Sequence, residues 1–177
     1  MLEIKELKSP PSLELFSELV ELLQDVVGGG ASVGWTQVPN TKDARNYWTE
    51  VLEAVGRGQR LLFVATDNHV CAGAIQVAFA PRQNARHRGE VQKLMVHSQY
   101  RRRGTGRALL GAVEKAALAR GLTLLVLDVR SGDDVERLLK RCGYTCAGSI
   151  PGFVQSASGA FDPTSIYYRR LGAAATG

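Results

Sequence analysis

The sequence predicts an α/β (α+β) fold, with a mixed β-sheet that carries helices on its faces. Residues 60–66 and 70–79 are rich in β-favouring side chains and flank an Asp-Asn-His turn, which indicates two antiparallel strands. Residues 90–110 pass from a strand-like segment through a glycine turn into a helical repeat. Residues 122–129 are almost continuously apolar, which is typical of a strand covered on both faces.

The other elements follow from local signals along the chain. A short opening strand near Leu2 and Ile4 precedes a helix that Ser12 caps and that reaches about residue 27. A second helix begins at Thr41 and reaches about residue 56, with Tyr47 and Trp48 expected in the core. The remaining expected elements are a polar loop over 81–88, a short helix over 133–141 and two strands over 144–149 and 165–171.

Length and composition limit the domain count and the class of protein. A chain of 177 residues with 45% hydrophobic content is expected to form one domain, over residues 1–171, followed by a flexible tail at 172–177. The sequence has no signal peptide and no apolar run of roughly 20 residues, so we expect a cytoplasmic protein with no membrane partner. Its cysteines and histidines lack the spacing of metal ligands, so we expect no metal.

A glycine turn between a strand and a helix is the strongest functional signal. Two glycines around one small residue let backbone N–H groups point outward, and the first N–H groups of the following helix have no helical acceptor. Together with the helix dipole, nearby guanidinium groups make such a turn suited to a diphosphate. The residues concerned are Arg101, Arg102, Arg103, Gly104, Thr105, Gly106 and Arg107.

Two other phosphate-binding motifs are excluded. The chain has no Gly-Lys-Ser/Thr, and Leu109 stands where a dinucleotide motif needs its third glycine. The remaining Arg-x-x-Gly-x-Gly turn resembles the coenzyme A pyrophosphate loop of the GNAT superfamily of N-acetyltransferases. Residues 29–35, 90–96, 151–153 and 163–168 are similar to segments of the tabtoxin-resistance type of acetyltransferase.

The resemblance implies a fold, a cofactor and a set of binding residues. It implies a mainly antiparallel sheet with helices on both faces, in which two splayed strands hold acetyl-CoA. Main-chain N–H groups near Leu94, Met95 and Val96 would contact the thioester, and residues 101–107 would bind the pyrophosphate. The loop that contains Ser32, Val33 and Trp35 would border the acceptor.

Acetyl transfer to an amine needs a group that removes a proton. An alkyl amine with a pKa of about 10.4 is only roughly 0.1% unprotonated at neutral pH. A carboxylate in a partly dry cleft can act as the base, directly or through one water. Glu90 and Asp128 match acidic residues of the resembling enzymes, although an exposed strand-entrance acid and a helix-capping acid are the alternatives from sequence alone. Which of them is the base and which anchors the substrate stays open.

The chain departs from the family at the group that protonates the leaving thiolate. Many GNAT enzymes place a tyrosine in the helix after the second splayed strand, but this sequence has Leu139 there. Tyr144 is the nearest alternative in sequence, and a water is another.

The prediction is therefore an acetyl-CoA-dependent N-acetyltransferase acting on a small-molecule primary amine of an amino-acid-like or β-lactam-like kind. A protein or peptide acceptor is one alternative, and an acetyl-CoA-binding module with weak or no catalysis is another. A nucleic-acid partner is disfavoured, because only the net charge of +5 supports that hypothesis. The oligomeric state is open, and a homodimer is one of the options.

Overall fold

The computed structural model describes residues 1–172. The predicted tail lies outside the described residues, except for Gly172. Seven strands and four helices alternate along this part of the chain. They are β1 (Glu3–Glu6), α1 (Leu13–Gly28), α2 (Thr41–Gly56), β2 (Arg60–Asp67), β3 (Val70–Phe79), β4 (Arg88–Val96), α3 (Thr105–Ala119), β5 (Leu124–Arg130), α4 (Asp134–Arg141), β6 (Thr145–Gln155) and β7 (Phe161–Arg170). No helix within residues 1–172 is long and apolar enough to cross a membrane.

All seven strands form one sheet in the order β1-β2-β3-β4-β5-β7-β6. Every neighbouring pair is antiparallel except β4 and β5, which are parallel. This parallel pair is short, because it ends where Glu90 lies opposite Val126, while both strands run on for several residues. The two strands therefore diverge in the middle of the sheet, and the predicted mainly antiparallel sheet with a splayed pair is confirmed.

A β-bulge distorts β4 just beyond the point of divergence. Gln92 lies opposite Gln76 and Met95 lies opposite Ala74, so Lys93 and Leu94 together face the single residue Ile75. Lys93 has a φ of 51°, a left-handed conformation that a non-glycine residue adopts at a cost of about 1–3 kcal/mol. The bulge lies on the part of β4 that is not paired with β5, beside the opening between the two strands.

Each face of the sheet carries its own core. Helices α1 and α2 cover one face, where Trp48, Leu62 and Met95 are fully or almost fully buried. Helix α3 covers the other face, where Leu109, Leu125 and Leu139 of α4 are fully buried. Helices on both sides of the sheet bury both apolar faces of its strands, as the hydrophobic pattern of the sequence predicts.

The last two strands are longer than the sequence indicates. The sequence predicts strands over 144–149 and 165–171, yet β6 runs to Gln155 and β7 begins at Phe161, so the two strands include Pro151 and Pro163. Strand β6 is at the sheet edge, where a proline needs no donor on its outer side, and the pairing is irregular between Ile150 and Val154. Pro163 lies opposite that irregularity and beyond the last residue pair with β5, so its missing N–H breaks no regular pairing.

Candidate functional site

A cavity of about 740 Å³ opens at the N-terminus of α3, between the ends of the splayed strands. We call it the helix-terminus cavity. The predicted binding residues that line it come from β4 and from the glycine turn that follows. They are Leu94, Met95, Val96, Arg101, Arg102, Gly104, Thr105, Gly106 and Arg107. The opposite wall comes from the end of β5 and from α4, and it includes Arg130, Asp134 and Leu138.

The glycine turn presents unpaired backbone donors to this cavity. Gly104 precedes α3 with a φ of +85° and supplies no side-chain cap. The N–H of Ala108 donates to the Gly104 carbonyl at 3.0 Å, so the N–H groups of Thr105, Gly106 and Arg107 precede the first helical bond. A Cβ at Gly106 would lie 3.0 Å from Cδ2 of Leu138, so a side chain there would crowd the wall of the cavity. These donors and the helix dipole fit a diphosphate.

The four predicted arginines have different surroundings. Arg101 donates from Nε to the Val96 carbonyl at 3.3 Å, and Arg102 lies 3.7 Å from the Asp134 carboxylate. Arg107 is exposed and lines the cavity. Arg103 is not among the lining residues, and its guanidinium lies over the ring of Tyr100, 5.6 Å from the ring centroid. Three of the four guanidinium groups therefore border the helix-terminus cavity.

Glu90 and Asp128 lie together on the sheet face covered by α1 and α2, although neither lines the helix-terminus cavity. Glu90 is paired with Val126, and side chains two residues apart on a strand share a face, so Asp128 is on the same side as Glu90. Both carboxylates are exposed, and Oε1 of Glu90 accepts a hydrogen bond from Nε2 of Gln92 at 2.7 Å. They flank the opening between β4 and β5.

Lys93 at the bulge contacts the loop of residues 29–35, which joins α1 to α2. Its Nζ donates to the Val33 carbonyl at 2.7 Å. Burial lowers the pKa of the Lys93 ammonium, Asp128 and Glu90 act to raise it, and Arg60 acts to lower it. This lysine is therefore within electrostatic reach of both candidate carboxylates.

The 29–35 loop is also hydrogen-bonded to β5, the other splayed strand. Nη2 of Arg130, at the end of β5, donates to the Gly30 carbonyl at 2.9 Å. Among the predicted acceptor residues, Val33 is buried, Trp35 is half-buried and Ser32 is exposed. The loop thus lies across the opening and is hydrogen-bonded to both of its sides.

A family model described as "Acetyltransferase (GNAT) family" matches residues 17–144. The chain belongs to the acetyltransferase (GNAT) family. It is 30% identical over 141 residues to an uncharacterized N-acetyltransferase from the hisH-hisA intergenic region of Azospirillum brasilense, covering 78% of this chain and 81% of that protein. Membership makes this chain an acetyl-CoA-dependent N-acetyltransferase, as the sequence predicts.

Solved structures support the fold of this acetyltransferase. A ribosomal-protein-alanine N-acetyltransferase from Brucella melitensis superposes with a TM-score of 0.75 at 21% identity, covering 96% of this chain and 99% of that one. A GNAT superfamily phosphinothricin acetyltransferase from Sinorhizobium meliloti, crystallised in complex with AcCoA, superposes with a TM-score of 0.78 at 19% identity, covering 99% and 92%. These two neighbours are named for different acceptors, so the fold does not identify the acceptor of this acetyltransferase.

The structure adds polar residues of the acetyltransferase that the sequence reasoning missed. Gln76 is fully buried, accepts a hydrogen bond from Arg60 and donates to the Tyr47 hydroxyl at 2.8 Å. Tyr47 was expected in the core, but it is only half-buried and meets Trp35 edge to face at 6.5 Å. A lone glutamine in the apolar strand 70–79 was the available signal, since a buried amide needs partners. The sequence contains no comparable signal for the left-handed backbone conformation of Lys93.

Within residues 1–172, neither α4 nor Tyr144 supplies a hydroxyl in the place of the missing tyrosine. Leu139 is fully buried in the core, and its neighbour Leu138 lines the helix-terminus cavity instead. Tyr144 is 4% exposed and does not line the cavity, and burial raises the pKa of its hydroxyl. Neither leucine can donate a proton, so of the two alternatives that the sequence offers, Tyr144 and a water, the water remains.

Proposed function

We propose that this acetyltransferase transfers the acetyl group of acetyl-CoA to the primary amine of a small molecule. The acceptor is amino-acid-like or β-lactam-like, as the resemblance to the tabtoxin-resistance type implies. One observation carries the proposal: the 29–35 loop is hydrogen-bonded to Lys93 on β4 and to Arg130 on β5. A loop fixed at both sides of the opening favours a confined acceptor site over an open groove.

The donor half of the proposal uses the helix-terminus cavity. Acetyl-CoA supplies the acetyl group as a thioester. The N–H groups of Thr105 and Gly106, together with the guanidinium groups of Arg101, Arg102 and Arg107, would hold its pyrophosphate. Backbone N–H groups on the unpaired edge of β4 would donate to the acetyl carbonyl oxygen, because pairing with β5 ends at Glu90.

The acceptor half uses the two carboxylates at the opening. One of Glu90 and Asp128 would accept a proton from the amine, directly or through one water, and the other would orient the ammonium form before reaction. Both are exposed and on one face of the sheet, which supports access to an acceptor arriving from the side of α1 and α2. A thiolate released at the cavity would take its proton from water, because Leu138 has no donor.

A protein or peptide amine is the second candidate acceptor. The Brucella melitensis structure, named for ribosomal-protein-alanine acetylation, has a similar fold. A peptide would need the 29–35 loop to open, which would break the hydrogen bonds of Val33 and Gly30 to β4 and β5. The small-molecule acceptor needs no such rearrangement and is therefore preferred.

The test is an acceptor screen that follows release of free CoA with a thiol reagent. α-Amino acids, amines bearing a β-lactam, and short peptides with free N-termini would be compared at fixed acetyl-CoA. Because Cys146 is exposed, a Cys146→Ser variant lowers the background reaction of the reagent with the protein. The proposal predicts acceptor-dependent release with small amines. Turnover confined to peptides would contradict it, and tight acetyl-CoA binding without release for any acceptor would point to a binding module.

A further inference from the structure

Two cations lie on the sheet face covered by α1 and α2 without a carboxylate partner. Arg60 is half-buried and donates to the neutral amide oxygen of Gln76, while Nζ of Lys93 donates to the neutral carbonyl of Val33. Within residues 1–172, neither cation forms an ion pair, although both are partly buried. A partly buried cation that contacts no carboxylate is costly to desolvate, and an anionic ligand bound beside the reaction site would offset that cost.

The two carboxylates on the same face are likewise not neutralised. Glu90 accepts its hydrogen bond from the amide of Gln92, and neither Glu90 nor Asp128 forms an ion pair within the described part of the chain. Arg60 lies opposite Ala78, which lies opposite Glu90, so Arg60 and Glu90 are two strands apart, or about 10 Å. The side chain of Ala78, which lies between the two opposite charges on the same face, is short.

Arg60 and Lys93 also have N–H donors beyond those used in these hydrogen bonds. Arg60 uses one of the five N–H groups of its guanidinium on Gln76, and Lys93 uses one of its three on Val33. The uncharged acceptors on Gln76 and Val33 fix the direction of each side chain but do not neutralise its charge. The Coulombic effect of Arg60, Asp128 and Glu90 on Lys93 places all four groups in one electrostatic neighbourhood.

We infer that the acceptor is a zwitterion whose carboxylate binds between Arg60 and Lys93. Its amine then faces Glu90 and Asp128 across the opening of the splayed strands. Arg60 would contact the carboxylate with its planar fork, and Lys93 would couple acceptor binding to the 29–35 loop through Val33. This inference rests on the proposed function, because it names the acceptor class of the same site and the residues that select it.

The experiment compares L-amino acids with their carboxamides as acceptors for the native enzyme and for the variants Arg60→Lys, Arg60→Met and Lys93→Met. The amine of a carboxamide is less basic than that of the free amino acid, so more of it is unprotonated at neutral pH. Intrinsic reactivity alone would therefore favour the carboxamides. We expect the native enzyme to prefer the carboxylate in kcat/KM. We expect Arg60→Met and Lys93→Met each to reduce that preference about 10- to 100-fold, mainly through KM, because a hydrogen bond to a charged group is lost.

Two controls separate recognition from folding. Arg57→Met removes an exposed cation three residues earlier, which pairs with Glu53 outside the site, and it should leave the preference at the native value. Arg60→Met leaves the buried Gln76 oxygen without its donor and can unfold the protein, whereas Arg60→Lys retains a cation and should keep part of the preference. A purely structural role would lower the rates with both acceptors and leave their ratio unchanged.

The possible outcomes are distinct. A native enzyme that acetylates carboxamides as well as carboxylates would overturn the zwitterion inference and leave the small-molecule proposal in place. A native preference that survives in Arg60→Lys, Arg60→Met and Lys93→Met would also overturn the assignment of these two cations. Absence of turnover with every small amine would overturn the proposed function and this inference together.

Discussion

Replacing Glu90 by glutamine tests the base directly. The glutamine has the same size, Glu90 is exposed, and its one side-chain hydrogen bond is to Gln92, so stability should change by no more than about 0.5 kcal/mol. Roughly one alkyl amine in a thousand is unprotonated at neutral pH, which corresponds to a deficit of about 4 kcal/mol that the base must offset. If Glu90 is that base, Glu90→Gln loses about 10²–10⁴-fold in kcat at neutral pH.

The pH profile gives this prediction its sharpest form. Without a base, the reaction depends on the amine that is already unprotonated, so the rate of Glu90→Gln should rise about tenfold per pH unit up to the amine pKa. The assay is initial CoA release under saturating acetyl-CoA, with Glu50→Gln on the exposed face of α2 as the matched control. Asp128→Asn should raise KM more than it lowers kcat if Asp128 is the anchor. A Glu90→Gln enzyme within about threefold of native kcat and with a native pH profile would refute the reasoning.

Three further predictions concern the glycine turn, the missing tyrosine and the cysteines. Gly104→Ala should lower the free energy of unfolding by about 1–2 kcal/mol in urea titrations, because alanine is strained at a φ of +85°. Leu138→Tyr should place a hydroxyl in the helix-terminus cavity and keep the melting temperature near native, whereas Leu139→Tyr should lower it by overpacking a fully buried site. Burial raises the pKa of the Cys71 thiol to about 12, so this thiol stays protonated until the pH approaches that value. Iodoacetamide at neutral pH should therefore label the exposed Cys146 and spare Cys71, as peptide mass mapping would detect.

Much of the fold could be predicted because its signals are local. The second helix has the expected bounds, Thr41–Gly56, and the hairpin of β2 and β3 follows the expected turn. The strand after the glycine-turn helix was only partly as expected: Leu125 and Leu127 are buried, but Asp128 is exposed where the strands diverge. The predicted strands over 144–149 and 165–171 stop short of Pro151 and Pro163. Strands β6 and β7 include both prolines, because a proline in a strand is costly only where a neighbouring strand needs its N–H.

The candidate site could likewise be predicted only in part from the sequence. The glycine turn was recognisable, since two glycines and clustered arginines act through groups close together in the chain. Arg60, Gln76 and Lys93 were not, because their roles depend on three different strands being brought onto one face of the sheet. The same limit applies to Leu138, whose position in the cavity wall depends on how α4 packs against Gly106.

The sequence by itself determined the alternation of helices and strands, the family resemblance and the turn suited to a diphosphate, because periodicity and glycine placement act over a few residues. Only the tertiary structure decided which charges meet. Arg60 pairs with Ala78, Ala78 with Glu90 and Glu90 with Val126, so the register of four strands brings Arg60, Glu90 and Asp128 to one face although they are far apart in the chain.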